Sequence, residues 1–250
     1  MSGTHLFSII TPVFNCVKTI EYAVKSVSGQ SCQDVEHIII DKGSTDGTLG
    51  IIEKHKNSSL RVIHEPKEGL YAAINRGLEA AEGEIIGILN ADDIYANNRV
   101  LELVSGKMNE GLDACWGNLY YVQNDDTEKI VRFWVSSEAN LQKLRRGWMP
   151  AHPTFFVRSR VYRKYGYFDT HFKISADYEI MLRFLYKYGI KGGYIPQVLT
   201  KMRMGGESNK DIMHLARKSI EDYEICRLYR LSSFALLSKI FSKIPQFFQR

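Results

Sequence analysis

No apolar run in the chain approaches the ~20 residues needed to cross a bilayer, and there is no low-complexity tract or internal repeat. Cysteine is sparse. Cys16, Cys32, Cys115 and Cys226 are scattered, with no C-x-x-C or zinc-like spacing among them. That excludes a disulfide framework and a zinc ribbon and predicts reduced thiols in a cytosolic protein. No basic segment and apolar core precede the first strand-like run, so no signal peptide is expected. The net charge of +5 is too weak a footprint for nucleic acid. Thr11-Pro-Val-Phe-Asn-Cys16 stands where a nucleotidyltransferase would carry a glycine-rich, basic phosphate loop. What remains is an ordinary globular composition, 44% hydrophobic over 250 residues, ample for a sizeable core.

The first half alternates in period. Residues 6–14, 35–40, 60–64 and 84–89 read as buried strands. Between them, Ile20, Ala23, Val24 and Val27, then Leu49, Ile51 and Ile52, then residues 70–81 read as helices, the last stopped by Gly83. This alternation predicts βαβ units and a parallel sheet, whose ligands lie beyond the carboxyl ends of the strands. Thr11 to Asn15, Asp41 to Thr48 and Asn90 to Asp93 then share one rim. In the second half, residues 113–122, 129–135, 152–158 and 193–200 read as strands. Residues 138–146 and 176–188 read as helices, the latter with Ile180, Met181, Phe184 and Leu185 at core spacing. The expectation is an α/β domain over residues 1–210 and a helical tail over 211–250.

Several residues stand out chemically. Asp41 follows three isoleucines at a strand tip, where a carboxylate can accept from a base N–H or a ribose hydroxyl. Gly43 and Gly47 permit turns and close approach. Glu84-Ile-Ile-Gly-Ile-Leu-Asn-Ala-Asp-Asp93 breaks from a buried strand into carboxylates, which are costly there unless paired or holding a cation. A hard divalent metal is one occupant; a helix cap is the plainer reading. Asp177 stands at a helix start, again as a cap or as a base. His152 and Trp148 are candidates either for core packing or for an acceptor-sugar platform. Arg203, in a segment 201–209 with two cations and a glycine pair, reads as a solvated turn or as a mobile diphosphate-binding loop.

Ser8-Ile-Ile-Thr-Pro-Val-Phe-Asn15, Ile38-Ile-Ile-Asp-Lys-Gly-Ser-Thr-Asp-Gly-Thr48, Gly69-Leu-Tyr-Ala-Ala-Ile-Asn75 and Leu89-Asn-Ala-Asp-Asp93 follow one another in the order seen in family 2 glycosyltransferases, which the chain resembles over about residues 6–210. The resemblance implies an inverting enzyme of GT-A fold, a Rossmann-like, mostly parallel sheet flanked by helices. Within the family, it points to bacterial enzymes of surface-polysaccharide assembly (O-antigen, capsule or exopolysaccharide). It implies nucleotide contacts at Asp41 and at the backbone of Thr11, Pro12 and Val13. It also implies donor contacts at Asn75, Ala91, Asp93 and Arg203, and acceptor contacts at Trp148 and His152. Asp92 would hold a divalent cation, Mn2+ or Mg2+, and Asp177 would be the general base. The chain departs from the family pattern at Asn90, which replaces the first Asp of D-x-D, and at Lys42, Ala72 and Ile74.

The resemblance implies a UDP-sugar donor and a lipid-linked glycan acceptor. Beyond Glu224 the chain interleaves Leu228, Leu231, Phe234, Leu237, Ile240, Phe241, Ile244, Phe247 and Phe248 with Arg227, Arg230, Lys239, Lys243 and Arg250. Such a helix can lie in a membrane interface; packing on the domain or on a second subunit, as a homodimer, is the alternative. A cytoplasmic enzyme peripheral to the inner face of the cytoplasmic membrane is expected, with a nucleotidyltransferase of sugar-nucleotide metabolism and a non-catalytic assembly scaffold as rival readings.

Overall fold

The computed structural model describes residues 5–65, 69–205, 212–232 and 235. Nine strands form one mixed sheet: β1 (His5–Val13), β2 (Val35–Asp41), β3 (Leu60–His64), β4 (Gly83–Ile88), β5 (Ile94–Tyr95), β6 (Ala114–Val122), β7 (Ile130–Trp134), β8 (Phe156–Arg158) and β9 (Gly192–Arg203). Their order is β3-β2-β1-β4-β8-β6-β9-β5, with β7 paired to β6. The first four are parallel, as the alternating periods require. β8 enters antiparallel between β4 and β6, so the second half extends the same sheet rather than starting a new domain.

Helices cover both faces. The α1 (Ile20–Ser28), α2 (Thr48–Lys54) and α4 (Val100–Met108) side shares a core with Phe7, Ile9, Val13 and Ile39. The α3 (Leu70–Ala80), α6 (Ser159–Tyr165) and α7 (Ala176–Met181) side shares one with Ile10, Ile38 and Ile40. Burial on both faces explains why these strands are continuously apolar. A short α5 (Leu141–Arg145) and α8 (Ile212–Leu228) complete the elements. Among the described residues, no helix is long and apolar enough to cross a membrane, and all four cysteines are free thiols.

Several expectations change. β5 and α4 went unread, although Val100, Leu101, Val104 and Met108 have helical spacing and are fully buried. Residues 152–158 are not one strand: His152–Thr154 is a 3-10 turn, and only Phe156–Arg158 pairs. Pro153 has no N–H for a ladder, and Thr154 Oγ1 substitutes by accepting from Gly117 N at 3.2 Å and contacting the Gly117 carbonyl at 3.0 Å. The helix expected over 176–188 is α-helical to Met181 and continues as a π-turn over Leu182–Lys187. Arg203 ends β9 rather than lying in a loop.

The described part of the expected tail packs on the preceding residues. α8 buries Glu221, Asp222, Ile225 and Cys226 against the domain. Tyr229 Oη donates to Glu179 Oε1 at 2.5 Å. The expected tail residues Phe234, Leu237, Ile240, Phe241, Ile244, Phe247 and Phe248 lie outside the described residues.

Candidate active site

The exits of β1 and β2 are stitched together side chain to backbone. Asn15, in a left-handed conformation (φ 50°) that asparagine tolerates well, donates its N–H to Ser44 Oγ at 3.0 Å. Its Oδ1 accepts from Thr45 N at 2.9 Å. Asp46 accepts from Val17 N and Thr48 N, and Thr48 Oγ1 accepts from Cys16 N. Gly43 and Gly47 adopt φ of 92° and 97°, where a side chain would be strained. Asp41, buried at the strand tip, accepts from Gly43 N and Ser44 N at 3.1 Å, and His64 Nδ1 lies 3.4 Å away. Phe14, half exposed beneath Lys42 (5.5 Å to the ring centroid), stands beside it. The side chains of Thr11, Val13 and Ala91 are buried. The Thr11 hydroxyl is taken by His37 Nε2 at 2.9 Å, and the Val13 carbonyl by Lys42 N.

Beyond β4, the chain turns through Leu89 and Asn90 before the acidic pair. Asp93 is buried. Its Oδ2 accepts from Asn90 Nδ2 at 3.0 Å and its Oδ1 from the Arg203 backbone N–H at 3.3 Å. Burial, then the charge of Asp92, push its carboxyl well above the usual carboxylate range. Asn90 therefore has a physical role: an amide donates where an aspartate would repel Asp93. Asp92 is only partly buried and stands at the rim, where its charge and burial raise the Cys16 thiol, burial acting more strongly. No group of three or more His, Cys, Asp or Glu able to hold a metal occurs among the described residues. One carboxylate at an open rim fits a cation completed by substrate phosphates and water, as magnesium often is, rather than a preformed cage.

Opposite, Asp177 is held from three directions. His152 Nδ1 lies 3.3 Å from Oδ2, Tyr71 Oη 3.4 Å from Oδ1, and Tyr178 N donates to Oδ1 at 2.8 Å. The 3-10 turn at Pro153 is what delivers His152. Burial holds the His152 pKa below its ordinary value, against the pull of Asp177, with Lys218 of α8 adding to the depression. A neutral imidazole protonated on Nδ1 can donate to Asp177. Burial, then the charge of Asp177, raise the Tyr71 phenol well above its usual pKa. Tyr121, on β6, feels the charges of both Asp93 and Asp177, so the acidic turn and the start of α7 lie within electrostatic reach of one side chain.

Three expected contacts are engaged elsewhere. The Asn75 amide is spent on Phe168, donating to its carbonyl at 2.8 Å and accepting from its N–H at 2.9 Å. Arg203 sends its guanidinium to the Asn124 carbonyl and over the Tyr22 ring; only its backbone reaches Asp93. Trp148 meets Trp116 edge-on at 6.4 Å, with Lys143 over its ring, as part of the core margin. Sequence reasoning missed His64, Tyr71 and Tyr121. Tyr71 had a usable signal in its helical spacing with Ile74 and Leu78, but nothing local ties it to Asp177.

Comparison with known proteins fits this geometry. GlyG of Streptococcus pneumoniae serotype 4 is 32% identical over 138 residues, which are 54% of this chain and 45% of that protein. The PGL/p-HBAD biosynthesis glycosyltransferase of Mycobacterium tuberculosis is 26% identical over 208 residues, covering 82% of this chain and 79% of that one. Staphylococcus aureus TarS 1-349, solved with UDP-GlcNAc, superposes with a TM-score of 0.69 at 20% identity, over 92% of this chain and 65% of that one. The Pyrobaculum calidifontis mannosyltransferase PcManGT, solved with GDP-Man and Mn2+, superposes at 0.64 with 16% identity, over 98% and 75%. Both share the GT-A fold with this chain. Residues 8–167 match the family described as glycosyl transferase family 2, and the chain belongs to that family.

Proposed function

We propose that the protein transfers a sugar, with inversion, from a UDP-linked donor to a hydroxyl of a growing, lipid-linked bacterial surface glycan. The observation that carries this reading is Asp177, contacted by His152 and Tyr71 at the start of α7. The donor nucleotide lies along the β1–β2 rim, its base beside Phe14 and Asp41 and its diphosphate toward Asp92. Asp92 would hold Mn2+ or Mg2+, which supplies charge neutralisation on the departing diphosphate. Asp177 takes the acceptor hydroxyl proton as that oxygen bonds to the anomeric carbon. The bond from that carbon to the diphosphate breaks, and nucleoside diphosphate leaves from the opposite face. Neutral His152 keeps the Asp177 carboxylate oriented without competing for its charge.

The UDP-GlcNAc complex of TarS supports a UDP-linked donor, and the Mn2+ of PcManGT supports a divalent cation. On α8, exposed Leu215, Ile220, Tyr223 and Leu228 lie among Arg217 and Arg227, which supports peripheral attachment to the inner face of the cytoplasmic membrane. The direct test is a panel of nucleotide sugars with purified protein and a lipid-linked acceptor, with and without chelator. The expected result is chelator-sensitive transfer from a UDP-sugar with an inverted product anomer. Retention of configuration, or no transfer from any donor, would overturn the reading.

A further inference from the structure

The three peptides that lead into α7 are held by a carboxylate from a different helix. Glu221 of α8 is buried. Its Oε1 accepts from Lys173 N at 3.0 Å, and its Oε2 from Ile174 N and Ser175 N at 2.9 Å. The last of these, the Ile174–Ser175 peptide, is clamped on its other side as well, because Tyr71 Oη, the same phenol that touches Asp177, donates to the Ile174 carbonyl at 2.7 Å. The helix has no cap of its own: Ser175 makes no capping bond, and its buried hydroxyl has no hydrogen-bond partner. Docking of α8 does not depend on this contact, since Ile225, Cys226 and the Tyr229–Glu179 bond also anchor it.

We infer that Glu221 is a positioning residue for the catalytic loop, fixing the backbone just ahead of Asp177 so that its carboxylate meets the acceptor hydroxyl; this rests on the proposed role of Asp177. A free loop would sample orientations in which the base is out of reach, and misplacement of this kind costs turnover rather than donor binding. The titratable groups that face Asp177 include Tyr71 from α3, Tyr121 from β6 and His152 from the 3-10 turn; Tyr71 also feels the charge of Glu221, and His152 that of Lys218.

The test compares Glu221→Gln with Glu224→Gln, an exposed site on the same helix with the same change of charge, in the full chain. A glutamine presents an amide nitrogen, which cannot accept, to at least one of the three N–H groups. The expected result is a fall in kcat of about tenfold or more, with donor KM within about twofold. Glu224→Gln should leave both kcat and donor KM unchanged. If Glu221→Gln does not fold, Glu221→Asp keeps the charge and shortens the reach; it should lower kcat with donor KM kept. Unchanged kcat in Glu221→Gln would overturn the inference. So would kcat, donor affinity and Tm falling together. Full turnover in Asp177→Asn would defeat the base assignment itself, whereas an inactive Asp177→Asn beside a normal Glu221→Gln would defeat only the role of Glu221.

Discussion

The β1–β2 rim, proposed as the donor site, and the pocket around Asp177, proposed as the base, are built over different distances along the chain. At the rim, Asn15 meets Ser44 across 29 residues, the length of one βα unit, and the contacts join adjacent parallel strands. At the base, Tyr71 reaches Asp177 across 106 residues and Glu221 reaches Ser175 across 46. A rim of neighbouring strand exits can be read from local motifs, because each polar exit announces itself after an apolar run. A base pocket assembled from four separate elements cannot, because its supports look like ordinary helix residues.

The same contrast marks what the sequence revealed. The parallel half of the sheet, its rim and Asp41 followed from period and strand-tip polarity. Local pattern showed Asp177 only as an acidic helix start, its role as base coming from the family resemblance, and showed His152 only beside a proline whose turn could not be inferred. Asn75 and Arg203 illustrate the complementary limit. Their residue types suit phosphate or ribose, but their partners, Phe168 and Asn124, come from parts of the chain that no local pattern connects to them. α8 shows the limit most clearly: its composition resembles a detached amphipathic tail, yet it supplies Glu221.

If the rim and the pocket divide labour as proposed, lesions on the two sides should fail differently. The largest effect expected at the rim is from Asp92→Asn, which should lower kcat/KM by about 10²-fold or more without changing Tm. Steady-state kinetics against metal concentration checks this; wild-type metal dependence in the variant would remove Asp92 from the site.

Below the rim, Glu36 is a purely structural counterpart. It is buried, and its Oε1 accepts from Ser8 Oγ, from Glu82 N at 2.6 Å and from Gly83 N at 3.1 Å, while Arg61 approaches Oε2. Glu36→Ala strands buried donors and should destabilise the fold by about 3 kcal/mol. Denaturant titration reads this, and an unchanged midpoint would show that the sheet does not depend on that cluster.

His37, buried behind Thr11, has its pKa pushed down to about 4 by burial, from 6.5. Below 6.5 the unfolded chain takes up a proton that the folded one refuses. Stability should therefore fall between about pH 6.5 and pH 4, by an order of 3 kcal/mol. His37→Gln should flatten that part of the stability–pH curve, and an identical slope in the variant would contradict the assignment.

The smallest effect concerns Asn75. Asn75→Ala should cost about 1–3 kcal/mol of stability while leaving donor KM unchanged. A large rise in donor KM at constant Tm would return Asn75 to the donor site.

The division of labour itself is tested most directly in one variant, Asp177→Asn, by measuring donor affinity calorimetrically and turnover kinetically on the same preparation. The prediction is donor Kd within about twofold of wild type and kcat reduced by about 10²–10⁴. Retained turnover, or a donor affinity lost in step with it, would contradict a base pocket that is separate from the donor rim.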